Sequence, residues 1–314
     1  VRVLKAAALA AMFVLCGGAA APSDPPPKWA FAGMKPGPEL AKDKLFSAPG
    51  STLKVPGGKF ADSAFIADWF PADHTPMPAV VGQGRKEKKL QPCALCHLAT
   101  GAGGPDSAPL AGLSADYIVA QVEEFRSGRR ACAGDCAKEM AGIAAALSPA
   151  DLREAAAYFA RQPYRSRMVV QEAAMVPKAE LVWFAYMPVK GAGLEPIGAR
   201  VLEMPADLNR YLMGDWRLPV TVYVPPGSIA RGKTLARGGA GVMACAACHG
   251  ADLKGAGSAP PLAGRSPSYL YRQLYNIQYG FRKGPAVAQM QPVVAHLNAK
   301  DRIALAAYLA SVKN

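Results

Sequence analysis

Two short stretches decide how the chain is read: CALCH at residues 93–97 and CAACH at residues 245–249. Each is Cys-x-x-Cys-His. Thiols at this spacing can add across the vinyl groups of a haem to form thioethers, and the adjoining histidine on the same helical turn then points its imidazole at the iron. A bare Cys-x-x-Cys would equally suit a zinc half-site or a redox dithiol. The histidine follows both copies, so Cys93, Cys96, Cys245 and Cys248 are read as covalent attachment points for two c-type haems, and His97 and His249 as iron ligands.

The copies lie 152 residues apart, and the similarity runs outward from them. In that register Pro109, Leu110, Ala111 and Gly112 fall on Pro261, Leu262, Ala263 and Gly264, while Tyr117, Gln121 and Gly128 fall on Tyr269, Gln273 and Gly280. The register then shifts by two residues, and Met140, Leu147, Asp151 and Tyr158 match Met290, Leu297, Asp301 and Tyr308. Both copies close on a capped helix. In SPADLREAAAYFARQ, Ser148 is the N-cap and Pro149 the first helical residue; in NAKDRIALAAYLASV, Asn298 and Asp301 repeat the device. Ser114 and Ser266 open earlier helices in the same way, so both copies are expected to be mainly helical.

An iron with one histidine keeps an open face, and a thioether closing it favours the reduced state. Between each His and the end of its terminal helix stands a single methionine, Met140 or Met290, at 43 and 41 residues from His97 and His249. A lone methionine is more often a core filler. Its recurrence at nearly one distance makes Met140 and Met290 the expected sixth ligands. The spare histidines are weaker candidates: His296 has Ala146 as its repeat partner and is expected at the surface, and His74, upstream of the first site, is expected to be structural.

With these motifs in place the chain resembles the class I cytochromes c, and as a tandem pair the dihaem, c-four-type members, over residues 80–162 and 229–314. The resemblance implies a mainly α fold of two tandem haem domains. It implies that Pro109 and Pro261 each offer a carbonyl to the far nitrogen of the proximal histidine. The helices bearing Tyr117 and Tyr269 would line the haem edge, with Gln121, Gln273, Arg130 or Arg282 within reach of propionates.

The rest of the chain reads as a signal peptide at 1–20, a Pro- and Gly-rich arm at 21–79 and a connecting arm at 163–228. Arg2 and Lys5 precede an apolar run that Gly17, Gly18 and Pro22 interrupt, which suits an export signal better than a retained anchor or a lipid attachment at Cys16. In the connecting arm ARVLEM and VTVYV suggest a small two-stranded element over the interface between the haem domains. A faint echo of the repeat, with Asp-Trp at 68–69 and again at 215–216, suggests an arm preceding each haem core.

The chain carries a net charge of +13, or +11 without the signal's Arg2 and Lys5. Such a balance draws acidic redox partners, an anionic membrane surface or a membrane complex. No nucleic-acid motif is present, and no small-molecule substrate is expected. The run GRKEKK at 84–89 reads as a solvated loop or as a docking rim beside the first site. Cys132, Cys136 and Met140 stand at four-residue steps that would suit copper on a helix face. The second copy keeps Met290 and lacks the cysteines, so Cys132 and Cys136 are read as a separate local disulfide in an oxidising compartment. The expectation is a periplasmic carrier of single electrons; the alternatives are a dihaem peroxidase and the electron-accepting subunit of a dehydrogenase or oxidase complex.

Overall fold

The computed structural model describes residues 24–314, so the signal peptide read at 1–20 lies outside the described residues. The first copy of the repeat is built from helices at Ala115–Arg126, Lys138–Ala146 and Pro149–Arg161, and is called the first domain. The second uses Ser228–Ala236, Pro267–Gln278 and Ala299–Ser311. Each expected cap forms. Ser114, Ser148 and Ser266 accept the backbone N–H of Tyr117, Asp151 and Tyr269, and Asn298 closes a full capping box with Asp301.

The terminal helix of the first domain buries Leu152, Ala155, Ala156 and Phe159, a stripe at three- and four-residue steps. Its counterpart, Ala299–Ser311, is buried on nearly every side because the leading helix Ser228–Ala236, the edge helix Pro267–Gln278 and a strand all pack against it. Its alanines permit this close approach. Gly232 of the leading helix lies so near that a Cβ there would sit 1.9 Å from the carbonyl oxygen of Ala304. Gly232→Ala is therefore expected to push the two helices apart and cost about 3 kcal/mol, as overpacked cores do; a denaturant titration measures it.

The segment from Asp24 to Gly33 straps over the second domain. Trp29 and Phe31 pack on Tyr271 and Tyr275, with ring centroids 4.6 and 5.0 Å apart. The Asp24 carboxylate pairs with Arg302, whose side chain is fully buried. Arg302 also donates to the Leu297 carbonyl at 2.9 Å and lies over the rings of Tyr271, Tyr275 and Tyr279.

Both strands expected in the connecting arm are present, at Leu202–Pro205 and Val220–Val224, but the sheet is larger than expected. Met168–Glu172 joins it in parallel to Val220–Val224, and two further two-stranded pairs form, Met175–Pro177 with Leu194–Pro196 and Ala179–Val182 with Ala185–Pro188. The three-stranded sheet does not simply bridge the domains. Val220, Val222 and Val224 share a core with Tyr271, Ile303 and Ala306 of the second domain, while Pro205 and Val220 also reach the wall of the first site.

The faint duplication of the arms has a different outcome from the one expected. Trp69 and Trp216, the pair in that echo, meet in one cluster with Phe46, Val55, Phe70 and Met213. Trp69 Nε1 donates to the Met213 carbonyl at 2.9 Å, and Asp73 accepts from Trp216 Nε1 at 3.0 Å and from Arg217 Nε and Nη2 at 2.7 and 2.6 Å. Both arms thus converge beside the first domain. Among the described residues no helix is long and apolar enough to cross a membrane.

Candidate functional site

Each attachment motif forms a single helical turn, Ala94–His97 and Ala246–His249. The turns end in positive-φ residues, Leu98 at 64° and Gly250 at 82°, which send the chain back around the histidine. This return loop supplies the histidine's partner. His97 Nδ1 lies 2.8 Å from the Ala108 carbonyl and His249 Nδ1 lies 2.7 Å from the Pro260 carbonyl. A carbonyl can only accept, so Nδ1 carries the proton and Nε2 keeps its lone pair.

The carbonyl that accepts from the ring is one residue earlier than expected in both copies: Ala108 and Pro260, in place of Pro109 and Pro261. The peptide entering Pro109 faces the imidazole, while the Pro109 carbonyl itself turns away and accepts from Arg265 Nη1 of the second domain at 2.9 Å. Burial lowers the basicity of His97 and His249, outweighing the backbone hydrogen bond that raises it, so both rings stay neutral. Burial likewise pushes the Cys93 thiol up to about 12 and the Cys96 thiol up to about 11. Among the described residues no group of three or more His, Cys, Asp and Glu side chains gathers to hold a metal ion.

A cavity of about 1080 Å³ brings the residues of the first site together: Cys96, His97, Met140 and Ile143, with Tyr117 and Gln121 from the edge helix. Met140 lies in the Lys138–Ala146 helix and packs against the core that includes Ile118 and Val122. In the second site Met290 closes a short turn, Pro285–Met290, and packs against the core that includes Val287, Val294 and Leu297. His74 is engaged elsewhere, with Nε2 3.0 Å from Asp68 and its ring against Tyr158 and Trp216. His296 is exposed.

Where the domains meet, the repeat pairs face one another. Arg130 and Arg282 form an antiparallel bridge, with Ala131 N–H donating to the Phe281 carbonyl at 2.7 Å. Arg130 Nη1 donates to Gln121 at 2.7 Å, and Arg282 reaches Gln273 at 3.0 Å, Gln121 at 2.6 Å and the Tyr117 hydroxyl at 3.0 Å. Among the described residues neither guanidinium is hydrogen-bonded to a carboxylate, although both are buried, and Arg282 Nε and Gln121 Nε2 have no partner there. Burial alone would raise the Tyr269 phenol, yet the charges of Arg130 and Arg282 overcome it and hold that group below its ordinary value. Buried cations with spare donors beside an apolar cavity fit the carboxylates of a haem's propionates. The residues present therefore fit the group that the attachment motifs require.

Sequence reasoning missed a further set. Arg265 Nη1 and Nη2 donate to the carbonyls of Pro109 and Ala111, Arg272 Nη2 to Pro105 and Arg167 Nη2 to Gly103. These arginines come from outside the first domain and hold the loop that orients His97. The only sequence signal is that Arg265 and Arg272 stand where the first copy has Leu113 and Ala120.

Residues 229–313 match the family described as Cytochrome c. Over 243 residues the chain is 26% identical to cytochrome c4 from Pseudomonas aeruginosa, covering 75% of this chain and 89% of that protein. The chain resembles the dihaem cytochromes c4. It is also 28% identical over 233 residues to a thiosulfate dehydrogenase electron acceptor from Stutzerimonas stutzeri, covering 73% of this chain and 83% of that protein. Among solved structures it is similar to thiosulfate dehydrogenase (TsdBA) from Marichromatium purpuratum, with a TM-score of 0.50 and 28% identity. That match covers 74% of this chain and 39% of the other, so this c4-like chain spans well under half of that protein's length.

Proposed function

We propose that the protein is an exported, periplasmic carrier of single electrons holding two c-type haems, the first ligated by His97 and Met140 and the second by His249 and Met290. The observation that carries this reading is the convergence of Cys96, His97 and Met140 on one cavity, with the same residue types recurring at Cys248, His249 and Met290. A bound haem supplies a one-electron couple. The chain's own work is to hold the iron between its ligands, orient the imidazoles through Ala108 and Pro260, exclude water with the edge and terminal helices, and neutralise the propionates with Arg130 and Arg282.

A peroxidase needs an open iron at one haem. The chain offers a methionine at both sites, and His74 and His296 are placed elsewhere, so electron transfer without substrate chemistry is the better reading. The test is direct. Intact mass should show two haems bound covalently per chain, each titrating reversibly with one electron, and the reduced protein should turn over hydrogen peroxide no faster than free haem. Peroxide turnover at an enzymatic rate would overturn the reading. The resemblance to an electron acceptor of thiosulfate dehydrogenase favours a second form of the same role, that of an accepting subunit docked on a dehydrogenase. Co-purification with a large partner separates the docked form from a free shuttle.

Cys132 and Cys136 are joined, with Cα atoms 5.8 Å apart, in a non-helical turn ahead of the Lys138–Ala146 helix. The spacing that suggested one helix face is thus split between a turn and a helix. The turn lines the cavity, and Asn276 of the second domain accepts from the Ala133 N–H at 3.1 Å. The pair serves as a clamp on the segment presenting Met140. Replacing both cysteines with alanine should speed imidazole binding to the first haem several-fold, measured by stopped flow; an unchanged rate would remove the clamp from the account.

A further inference from the structure

The two attachment sites are equivalent in sequence and unlike in surroundings. At the first, Ala94 and Ala99 are 2% and 1% exposed, and Leu95 and Cys96 are half-buried. The cover comes from both arms: Phe60, Phe65, Trp183, Tyr211, Leu212 and the buried Trp216 line that cavity. At the second, the repeat partners Ala247, Cys248 and Ala251 are all exposed. Met243, which stands where the first copy has Gln91, is 56% exposed, a large apolar side chain presented to solvent beside the attachment turn.

Charge is divided as unevenly as cover. Residues 80–162 hold ten Lys and Arg against nine Asp and Glu, whereas residues 229–314 hold eleven against two. In the second domain Lys233, Arg237, Lys254, Lys283, Lys300 and Lys313 are exposed, and of its acids Asp301 is buried against Arg231. Arg237 and Lys254 flank the open attachment turn. The Cys245 N–H donates to the carbonyl of Ala236, immediately before Arg237, and the Gly255 N–H donates to the His249 carbonyl, immediately after Lys254. Asp252 is the one exposed acid beside them.

We propose that the protein exchanges electrons with its partner at the second haem's edge, across Met243, Ala247 and Cys248, and that the partner is a redox protein with an acidic rim around an apolar centre. The first haem, covered by the arms, then fills and empties through the second. This rests on the dihaem carrier reading. The local geometry favours a protein over an anionic membrane because the apolar surface exposed at the attachment turn is a small spot around Met243, whereas membrane binding needs a long apolar face. Like charges spread over one domain steer an acidic partner toward that end and raise its encounter rate.

The test uses the full-length reduced holoprotein. Hexacyanoferrate(III) is the oxidant, taking one electron per ion to become hexacyanoferrate(II), and a polyglutamate peptide is the competitor standing in for an acidic protein surface. At low ionic strength the double variant Arg237→Glu, Lys254→Glu should slow oxidation of both haems about tenfold and abolish competition by polyglutamate. The difference should vanish in concentrated salt. The triple variant Lys86→Glu, Lys88→Glu, Lys89→Glu on the first domain should leave both rates within twofold of the parent. Met243→Gln, which keeps charge and size, should weaken polyglutamate competition little while lowering the rate with a bulky acidic redox protein.

The reverse pattern, slowing by the first-domain triple variant alone, overturns the proposal, as does independent oxidation of the two haems at equal rates. Binding to phosphatidylglycerol vesicles that needs Arg237 and Lys254 and blocks oxidation would replace the protein partner with a membrane. If two reversible haems are present and the rates ignore the second domain, the docking assignment fails and the carrier reading stands. If the haems are absent or irreversible, the carrier reading itself fails.

Discussion

Replacing Met140 with histidine is expected to lower the reduction potential of the first haem by an amount on the order of 0.1–0.3 V, part of the roughly 0.8 V range that axial ligands command, and to leave the second haem unchanged. Met290→His should do the same to the second haem alone. A thioether is a weak donor that stabilises the ferrous state, whereas an imidazole supports the ferric state better. The position can accept the change: Met140 lines the cavity that holds His97 and lies only half-buried in its helix. Stability should therefore move little while the potential moves far. Potentiometry followed by the hyperfine-shifted haem methyl resonances, which report each iron separately, makes the measurement. If Met140→His melts earlier but keeps both potentials, Met140 is a core filler and some other residue faces the iron.

Arg265→Leu carries the largest expected loss of stability. Arg265 is 2% exposed, stacks on the Tyr164 ring at 3.8 Å, and donates across the domain boundary to the carbonyls of Pro109 and Ala111 at 2.9 and 2.8 Å. Burial lowers its basicity, yet a guanidinium remains charged in proteins. Leucine is what the first copy has at the corresponding position, Leu113, so the side chain suits the repeat and not the interface. The substitution strands two buried carbonyls, each worth about 1–3 kcal/mol, for a total of about 4 kcal/mol.

The same variant should also be felt at the iron. Pro109 follows Ala108, whose carbonyl holds His97, so loosening the loop loosens the imidazole. The expected result is a denaturation curve that splits into two transitions, with heterogeneous low-spin signals from the first haem only. Arg265→Lys retains one donor and should recover part of the loss. A single unshifted transition would mean that the domains do not depend on this contact.

The helices and their order were legible in the sequence because their signals are local. Ser114, Ser148, Ser266 and Asn298 act on backbone groups within three residues of themselves, and each attachment motif fits inside one turn. The candidate attachment and ligand residues stood out because the repeat let one copy be compared with the other, and Cys96, His97 and Met140 line one cavity. Features set by distant partners were not. Met168–Glu172 becomes a strand through a parallel partner some 50 residues away at Val220–Val224, and nothing inside MVVQE announces that pairing. The arms looked like repeated connectors, whereas Trp69 and Trp216 pack together. The choice of Ala108 over Pro109 depends on which way one peptide faces, and the Arg265 contact that turns the next carbonyl away comes from the other domain. Four-residue spacing from Cys132 to Met140 suggested one helix face, but the helix starts only at Lys138.

The central claim is that both irons are held between a histidine and a methionine. It is tested most directly by the sulfur-to-iron charge-transfer band of the fully ferric protein, quantified by magnetic circular dichroism against the haem count. The account predicts an intensity equal to two methionine-ligated haems per chain, falling to one in Met140→His and to one in Met290→His. An intensity of one in the parent protein, or a band that survives both substitutions unchanged, would contradict it.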